Sequence, residues 1–215
     1  MQNKIIEVKN LNFENVLKNI SLDIFEGNFV AIIGPNGGGK STFIKLLLGI
    51  LEKDSGEIKL FGKTRDTKSN QNIGYVPQNH SKGDVPFPAT VDEIIKTAFA
   101  FRTTFLKPLS KEEIQYITYL MDIFGISHLQ YRLIDELSGG QKQRVMIVKA
   151  LAHKPKLLIL DEPDFGVDAT SQNILHEVLT KLNQKEKVTI LFVTHHLELL
   201  KSMITKTFHI NEVIS

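Results

Sequence analysis

A glycine-rich stretch between a predicted strand and a predicted helix constrains the fold of this chain more than any other feature. The apolar run Phe29–Ile33 predicts a strand covered on both faces, and residues 43–48 have the pattern of a helix. The residues that match the phosphate-binding loop pattern G-x-x-x-x-G-K-[ST], the P-loop, and its last position are Gly34, Pro35, Asn36, Gly37, Gly38, Gly39, Lys40, Ser41 and Thr42.

This stretch predicts a site for a polyphosphate. Consecutive glycines let the backbone curl so that its N–H groups converge on one point, and the N-terminus of the following helix adds a partial positive charge there. Lys40 is placed to reach the β- and γ-phosphates, and Ser41 to offer its hydroxyl to a bridging Mg²⁺. The alternative, a glycine-rich turn that arises by chance, is disfavoured by the flanking strand and helix.

Length and composition favour one globular domain. The 215 residues include 42% hydrophobic and 23% charged side chains, which is ordinary for a folded domain with one core and room for a smaller lobe. The formal net charge of +2 argues against nucleic acid as a partner. No cysteine is present, so disulfides and thiolate metal sites are excluded.

The hydrophobic runs are too short for a targeting or membrane segment. Glu7 and Lys9 interrupt the apolar stretch that an N-terminal signal peptide needs. Runs such as residues 157–160 fall far short of the roughly 18 apolar residues that suggest a bilayer span. We therefore expect a soluble chain, with any membrane role exerted through a partner.

The periodicity of apolar residues changes twice along the chain. Residues 4–33 begin with alternation, which predicts a half-exposed antiparallel sheet, and end in the continuous run of a buried strand. Residues 91–153 have helical periodicity, with a capping box at Ser110 and Glu113. From Lys156 strands and helices alternate, which predicts a mostly parallel sheet covered by helices on both faces. The fold class is therefore α/β, with the helical block as an inserted lobe.

The patterns also place individual elements. Predicted strands lie at residues 5–8, 20–24, 29–33, 56–61, 73–76, 157–160, 188–193 and 207–210, and predicted helices run to about 51 after the P-loop, from 110 to 124, from 169 to 182, and between the last two strands. Phe99, Phe101 and Phe105 crowd the helical block. They predict either core packing or an exposed docking surface, and the sequence leaves both open.

Two carboxylates, Asp161 and Glu162, follow the apolar run at residues 157–160. Beside a P-loop, the first can hold Mg²⁺ through its water shell, and the second can accept a proton from the water that attacks the γ-phosphate. Taken alone, such a pair is equally consistent with a solvated strand end and with a functional site. Together with the P-loop, the pair favours nucleotide hydrolysis.

A second glycine-rich turn, Ser138, Gly139, Gly140 and Gln141, also precedes a helical run. Its backbone N–H groups predict a second phosphate nest at a helix N-terminus. One chain seldom needs two such nests for one nucleotide, unless the second serves a nucleotide held by another copy.

The motifs taken together resemble those of the ATP-binding cassette (ABC) ATPases, in that family's order and spacing over essentially the whole chain. They are the P-loop, Gln78, the run at residues 137–141, Asp161 with Glu162, and Thr194 with His195. The resemblance implies a P-loop NTPase fold in a single ABC ATPase domain over residues 1–215. Residues 1–90 and 155–215 would form the core with its antiparallel part, and residues 91–154 the helical subdomain.

The resemblance also implies residue roles. Two cassettes would pair head to tail around two ATP molecules, so that Ser138, Gly139, Gly140 and Gln141 meet the γ-phosphate held by the partner subunit's Lys40. Gln78 resembles the Q-loop glutamine, which contacts Mg²⁺ and relays to a membrane partner, and His195 resembles the switch histidine that bonds the γ-phosphate. By the same comparison Glu162 polarises the attacking water and Asp168 lies in the loop that aligns the two sites. His196 is interpreted as a bystander.

One part of the family pattern is missing. Many cassettes place an aromatic side chain between the first strands, where it stacks on adenine, but the segment from residue 11 to residue 17 is short here. Phe13 is the candidate replacement for that aromatic. It is equally consistent with a place in the strand core.

The implied function is ATP hydrolysis that powers a membrane transporter, with ATP and Mg²⁺ as cofactors. The partners would be a separate integral permease and an extracytoplasmic substrate-binding protein, with the chain on the cytoplasmic face of the membrane. The alternative is a soluble ATPase in DNA repair or on the ribosome, but those relatives carry long coiled coils or two fused cassettes. A regulator without turnover is disfavoured by Glu162 and His195.

The expected cargo rests on resemblance alone. The stretch at residues 87–94 is similar to one in cassettes of zinc, manganese or iron-chelate importers, and residues 166–172 and 179–182 resemble the same branch. The chain's seven histidines show no paired metal-ligand spacing beyond His195 and His196, so the cassette itself is not expected to bind the transported ion. We therefore expect a bacterial importer of zinc or manganese.

Overall fold

The computed structural model describes residues 3–64, 72–78, 88–100, 108–195 and 197–210. Its strands are β1 (Lys4–Phe13), β2 (Leu17–Phe25), β3 (Phe29–Ile33), β4 (Ser55–Leu60), β5 (Lys63–Thr64), β6 (Ile73–Val76), β7 (Leu157–Asp161), β8 (Thr189–Val193) and β9 (Lys206–His209). Its α-helices are α1 (Lys40–Leu48), α2 (Val91–Lys96), α3 (Lys111–Ile123), α4 (Gly139–Leu151) and α5 (Ala169–Glu186).

The first strands form a four-stranded antiparallel sheet in the order β2-β1-β4-β5. Val8 of β1 stands between Leu22 on one neighbour and Ile58 on the other, and all three side chains are buried. This face of the sheet joins α1 in one apolar core, while the alternating polar residues face outward. The predicted antiparallel part is confirmed.

The second sheet has the order β6-β7-β8-β3-β9 and is parallel at every described pairing. Every residue of β7 and β8 is buried, as expected for strands covered on both faces. In a parallel sheet the carboxyl ends of the strands share one edge. That edge therefore brings together the P-loop after β3, Gln78 after β6, Asp161 in β7 and His195 after β8.

Helices α2, α3 and α4 lie between β6 and β7 in sequence and share a second apolar core with α5. The capping box predicted at Ser110 and Glu113 is present, and Thr90 and Glu93 form another. Phe99 is buried in this core, which supports the packing interpretation for that residue, whereas Phe101 and Phe105 lie outside the described residues. The predicted α/β fold class is confirmed, while the proposed subdomain boundaries stay a prediction.

Several element ends differ from the sequence prediction. α1 stops at Leu48 because Gly49 takes the left-handed conformation, φ 66°, and ends the helix there. α5 continues to Glu186, and the described residues between β8 and β9 form only a 3₁₀ turn, Leu197–Leu200. Among the described helices, none is long and apolar enough to cross a membrane.

Candidate functional site

The P-loop turns tightly because two of its glycines adopt positive φ, 80° at Gly37 and 89° at Gly39. A Cβ at Gly39 would lie 2.9 Å from the Val16 side chain and 2.8 Å from that of Leu17, so the β1–β2 turn packs against the loop. The loop borders a cavity of 210 Å³. Its lining residues are Asn36, Gly37, Gly39, Lys40, Ser41, Thr42, Gln78 and Glu162.

Lys40 is buried, with 5% of its surface exposed, yet its ammonium has oxygen partners on several sides. Its Nζ donates to the carbonyl oxygens of Gly34 at 3.0 Å and Pro35 at 2.9 Å. The same Nζ lies 3.8 Å from Oε1 of Glu162. These contacts hold a cation at the cavity where phosphate oxygens would need one.

Asp161 is only 2% exposed, and its Oδ1 has no hydrogen-bond partner among the described residues. Burial raises the pKa of this carboxyl, while a hydrogen bond from Ser41 and the charge of Lys40 oppose the rise. A buried carboxylate oxygen with unused lone pairs, beside a hydroxyl, fits the oxygen-rich coordination that Mg²⁺ requires. Ser41 and Asp161 therefore offer oxygen ligands of the kind that the predicted Mg²⁺ site needs, and their role as ligands stays a prediction.

Glu162 lies at the centre of the predicted catalytic group. Its Oε2 accepts a hydrogen bond of 2.7 Å from Nε2 of Gln78 and lies 3.9 Å from Nδ1 of His195. Its backbone has φ 48°, a conformation that costs a non-glycine residue on the order of 1–3 kcal/mol. Backbone hydrogen bonds to Val193 and from Phe165 hold the residue in this position.

His195 is more open than Glu162, with 34% of its side chain exposed against 9% for Glu162. Its ring meets that of Phe165 edge to face, with 6.5 Å between centroids, and Phe165 is itself largely exposed. The three predicted catalytic residues, Gln78, Glu162 and His195, are therefore brought together at the Glu162 carboxylate, and the first two of them line the cavity.

The second glycine-rich turn is built differently. Ser138 caps α4 by accepting a hydrogen bond from the Gln141 amide, and the Gln141 side chain accepts one from the Ser138 amide. Ser138 and Gly139 are exposed, and a Cβ at Gly139 would meet nothing within 4 Å. Residues 138–141 are not among those that line the P-loop cavity.

Asp168 connects this turn to α5. It is the N-cap of α5, where its Oδ1 accepts from the Ser171 amide at 3.0 Å, and these local hydrogen bonds lower the pKa of its carboxyl. A Cβ added at Gly140 would lie 2.5 Å from Oγ of Ser171 and 3.1 Å from Oδ2 of Asp168. The loop that contains Asp168 and the second glycine-rich turn therefore pack against each other within one chain.

The side chain predicted to stack on adenine, Phe13, belongs to the first sheet. Phe13 ends β1, is half-buried and packs on the apolar core of the first sheet. It does not line the P-loop cavity, whereas Val16, three residues later, contacts the loop beside Gly39. Sequence reasoning missed Val16, because its only signal is a place in a short turn.

Asp164 was also missed by the sequence interpretation, which named Thr194 only as the neighbour of His195. Asp164 and Thr194 are both buried, and the Thr194 hydroxyl donates to Oδ2 of Asp164 at 3.2 Å. The available signal was an acidic residue two positions after Glu162, in a segment otherwise interpreted only through Asp161, Glu162 and Asp168.

Comparison with known proteins identifies one family for most of the chain. The sequence profile described as "ABC transporter" matches residues 17–164, which contain the P-loop, Gln78, the second glycine-rich turn and Glu162.

Individual relatives extend that similarity. The zinc uptake system ATP-binding protein ZurA of Listeria innocua is 41% identical over 217 residues, covering 99% of this chain and 84% of the relative. The manganese transport system ATP-binding protein MntB of Bacillus subtilis is 39% identical over 183 residues, covering 85% of this chain and 72% of the relative. A solved dimeric structure of a bacterial ABC transporter cassette matches with a TM-score of 0.80 at 26% identity, covering 97% of this chain and 95% of that one.

Proposed function

Because this chain belongs to the ABC transporter family, as an ATP-hydrolysing subunit, we propose that it powers the import of zinc or manganese through a separate membrane permease. The ATPase mechanism in this proposal rests on the meeting of Lys40, Gln78 and Glu162 at one cavity beside the P-loop. That cavity offers a cation for phosphate and a carboxylate able to receive a proton.

The site would hold ATP by its phosphates. The residues proposed to surround them are Gly34, Pro35, Asn36, Gly37, Gly38, Gly39, Lys40, Ser41 and Thr42. Lys40 would exchange its two carbonyl partners for phosphate oxygens, which is possible because both are neutral acceptors in its own loop. Ser41 and Asp161 would hold Mg²⁺ together with Gln78, and the ion would neutralise charge at the β- and γ-phosphates.

Hydrolysis requires Glu162 to receive a proton from water. Its Oε2 is engaged by Gln78, and its Oε1 faces Lys40. Both neighbours are expected to turn towards the nucleotide, and their departure would free the carboxylate to act as a base. His195 is proposed to donate to the γ-phosphate from the same side, and its open position allows that movement.

A second copy would complete each site. Ser138 and Gly139 of the turn at residues 138–141 are exposed, and the turn lies outside the P-loop cavity, so this part of it is available to another chain. Its glycine N–H groups would meet the γ-phosphate bound at the partner subunit's Lys40. The dimeric cassette among the solved structures supports this pairing.

The cargo and the membrane partners are proposed from the names of relatives. Those names specify zinc uptake and manganese transport. We place the chain on the cytoplasmic face of the membrane, against a permease that receives the ion from an extracytoplasmic binding protein. Nucleic acid is not among the proposed partners.

Growth under metal limitation tests this function. Deletion of the gene should cause a growth defect in chelator that one metal, zinc or manganese, relieves. The parent gene should restore growth, whereas Glu162→Gln, which keeps the shape of the side chain, should not. The cargo assignment would be contradicted if the deletion strain grew normally under zinc, manganese and iron limitation but failed to grow when another nutrient was limiting.

A further inference from the structure

A buried hydrogen bond joins the two loops that carry Glu162 and His195. Asp164 lies two residues after Glu162, and Thr194 immediately precedes His195. The Thr194 hydroxyl donates to Oδ2 of Asp164 at 3.2 Å, across 30 residues of sequence. The bond therefore connects the end of β7 to the end of β8 behind the reactive side chains.

The surroundings make this bond difficult to replace with water. Asp164 is 2% exposed and Thr194 is 0% exposed. Loss of a hydrogen bond to a buried acceptor leaves that acceptor without a partner, which costs more than the loss of an exposed bond. The Oδ1 of Asp164 has no hydrogen-bond partner among the described residues, so Thr194 supplies the one described side-chain donor to this carboxylate.

The backbone around the bond is fixed on both sides. The Thr194 amide donates to Ile32 at 3.1 Å, next to the start of the P-loop, and the Glu162 amide donates to Val193 at 3.0 Å. With these anchors in place, the side-chain bond limits how far the two loops can separate. It thereby constrains the 3.9 Å approach of Nδ1 of His195 to Oε2 of Glu162.

We propose that Asp164 is a positioning residue for ATP hydrolysis, which sets the separation of Glu162 and His195 by accepting the Thr194 hydroxyl. The proposal rests on the function proposed for those two residues. A displacement of about 1 Å in an active site can reduce turnover about 100-fold. Loss of the bond should therefore lower kcat, while the KM for ATP changes little because the P-loop contacts remain.

Steady-state ATPase assays on matched variants test this role. Thr194→Val and Asp164→Ala should each lower kcat about 10- to 100-fold with the KM for ATP within about twofold of the parent. The double variant should be no slower than the worse single variant, because both remove the same bond. Thr194→Ser, which keeps the hydroxyl, should restore kcat to within about threefold.

Asp164→Asn separates hydrogen bonding from charge. Its amide oxygen can still accept from Thr194, so positioning predicts a loss of kcat clearly smaller than that of Asp164→Ala. Equal losses in the two variants would overturn the proposal, because they would mean that the charge and not the hydrogen bond matters.

Thr189→Val is the control for a merely structural effect. Thr189 is also buried in β8, at the opposite end from the site, and its Oγ1 accepts from the Gly27 amide at 3.1 Å. The kcat of Thr189→Val should stay within about twofold of the parent value, even if its melting temperature falls as far as that of Thr194→Val. Equal losses of kcat in Thr189→Val and Thr194→Val, or an unchanged kcat in folded Asp164→Ala, would refute positioning. A parent protein without ATPase activity would instead contradict the proposed function itself.

Discussion

The P-loop and the turn at residues 138–141 are both glycine-rich and both open a helix, yet their surroundings differ. The P-loop curls through positive φ at Gly37 and Gly39 and holds Lys40 at the cavity it shares with Glu162. The second turn holds Ser138 in an extended conformation, φ −63° and ψ 162°, as the cap of α4. The side chains of Ser138 and Gln141 find their hydrogen-bond partners within this turn.

This difference indicates a division of work between the two turns. The P-loop holds Lys40 at a cavity that Glu162 also lines, and this is where we propose that one chain binds the phosphates. The second turn is stable without a ligand because of its capping box, and it leaves Gly139 open to another molecule. One chain therefore carries both of the turns proposed to form a shared site, but the two turns do not line the same cavity.

The largest effect is expected from removing the proposed general base, Glu162. Glu162→Gln should keep ATP binding but lower kcat about 100- to 10,000-fold, the range typical of general-base removal. Because ATP then persists, light scattering should show the mass of the protein double with Mg-ATP. Parental turnover at saturating Mg-ATP would contradict the role of Glu162, and an unchanged mass would contradict the shared site.

Removal of the cation should affect binding before chemistry. Lys40→Ala leaves the phosphates without a charge-assisted donor worth about 1.5–3 kcal/mol, so the Kd for ATP should rise about 10- to 100-fold. Titration with a fluorescent ATP analogue measures this change. Lys53→Ala, at an exposed position after α1, is the control and should bind as the parent does.

The two glycines of the second turn should respond in opposite ways to alanine. In Gly140→Ala the new methyl meets Ser171 at 2.5 Å, and such overpacking typically costs about 1–3 kcal/mol of stability, seen as a lower melting temperature. Gly139→Ala has open space within its own chain, so its melting temperature should stay near the parental value.

Gly139→Ala should lower ATPase activity although it leaves stability unchanged. Its methyl projects where a second chain would approach, so ATPase activity should fall although the isolated chain stays stable. Full activity and ATP-dependent dimerisation in Gly139→Ala would break the comparison, since the exposed turn would then have no partner to exclude.

The smallest expected effect concerns the contact with adenine. Phe13→Ala should raise the Kd for ATP about fivefold, near the lower limit of the roughly 1–3 kcal/mol for base–aromatic stacking, because the ring is half-buried on the core. Binding is measured on the folded fraction. A lower melting temperature with unchanged affinity would assign Phe13 to the core and leave Val16 as the candidate contact.

Local patterns were sufficient to predict much of this protein. The bounds of β3 and β6 follow from short apolar runs, and the capping box at Ser110 follows from residues three apart. The predicted metal pair, Ser41 and Asp161, belongs to motifs that specify residue types at fixed spacing. The roles assigned to the individual site residues stay predictions.

By itself, the sequence determined the α/β class, the P-loop and the identity of the groups at the strand ends, because each depends on neighbours within a few residues. Only the tertiary structure decided which of these groups meet. The pairing of Gln78 with Glu162 spans 84 residues and that of Asp164 with Thr194 spans 30. Both depend on the order β6-β7-β8-β3-β9, which is set by burying whole strands rather than by any local pattern.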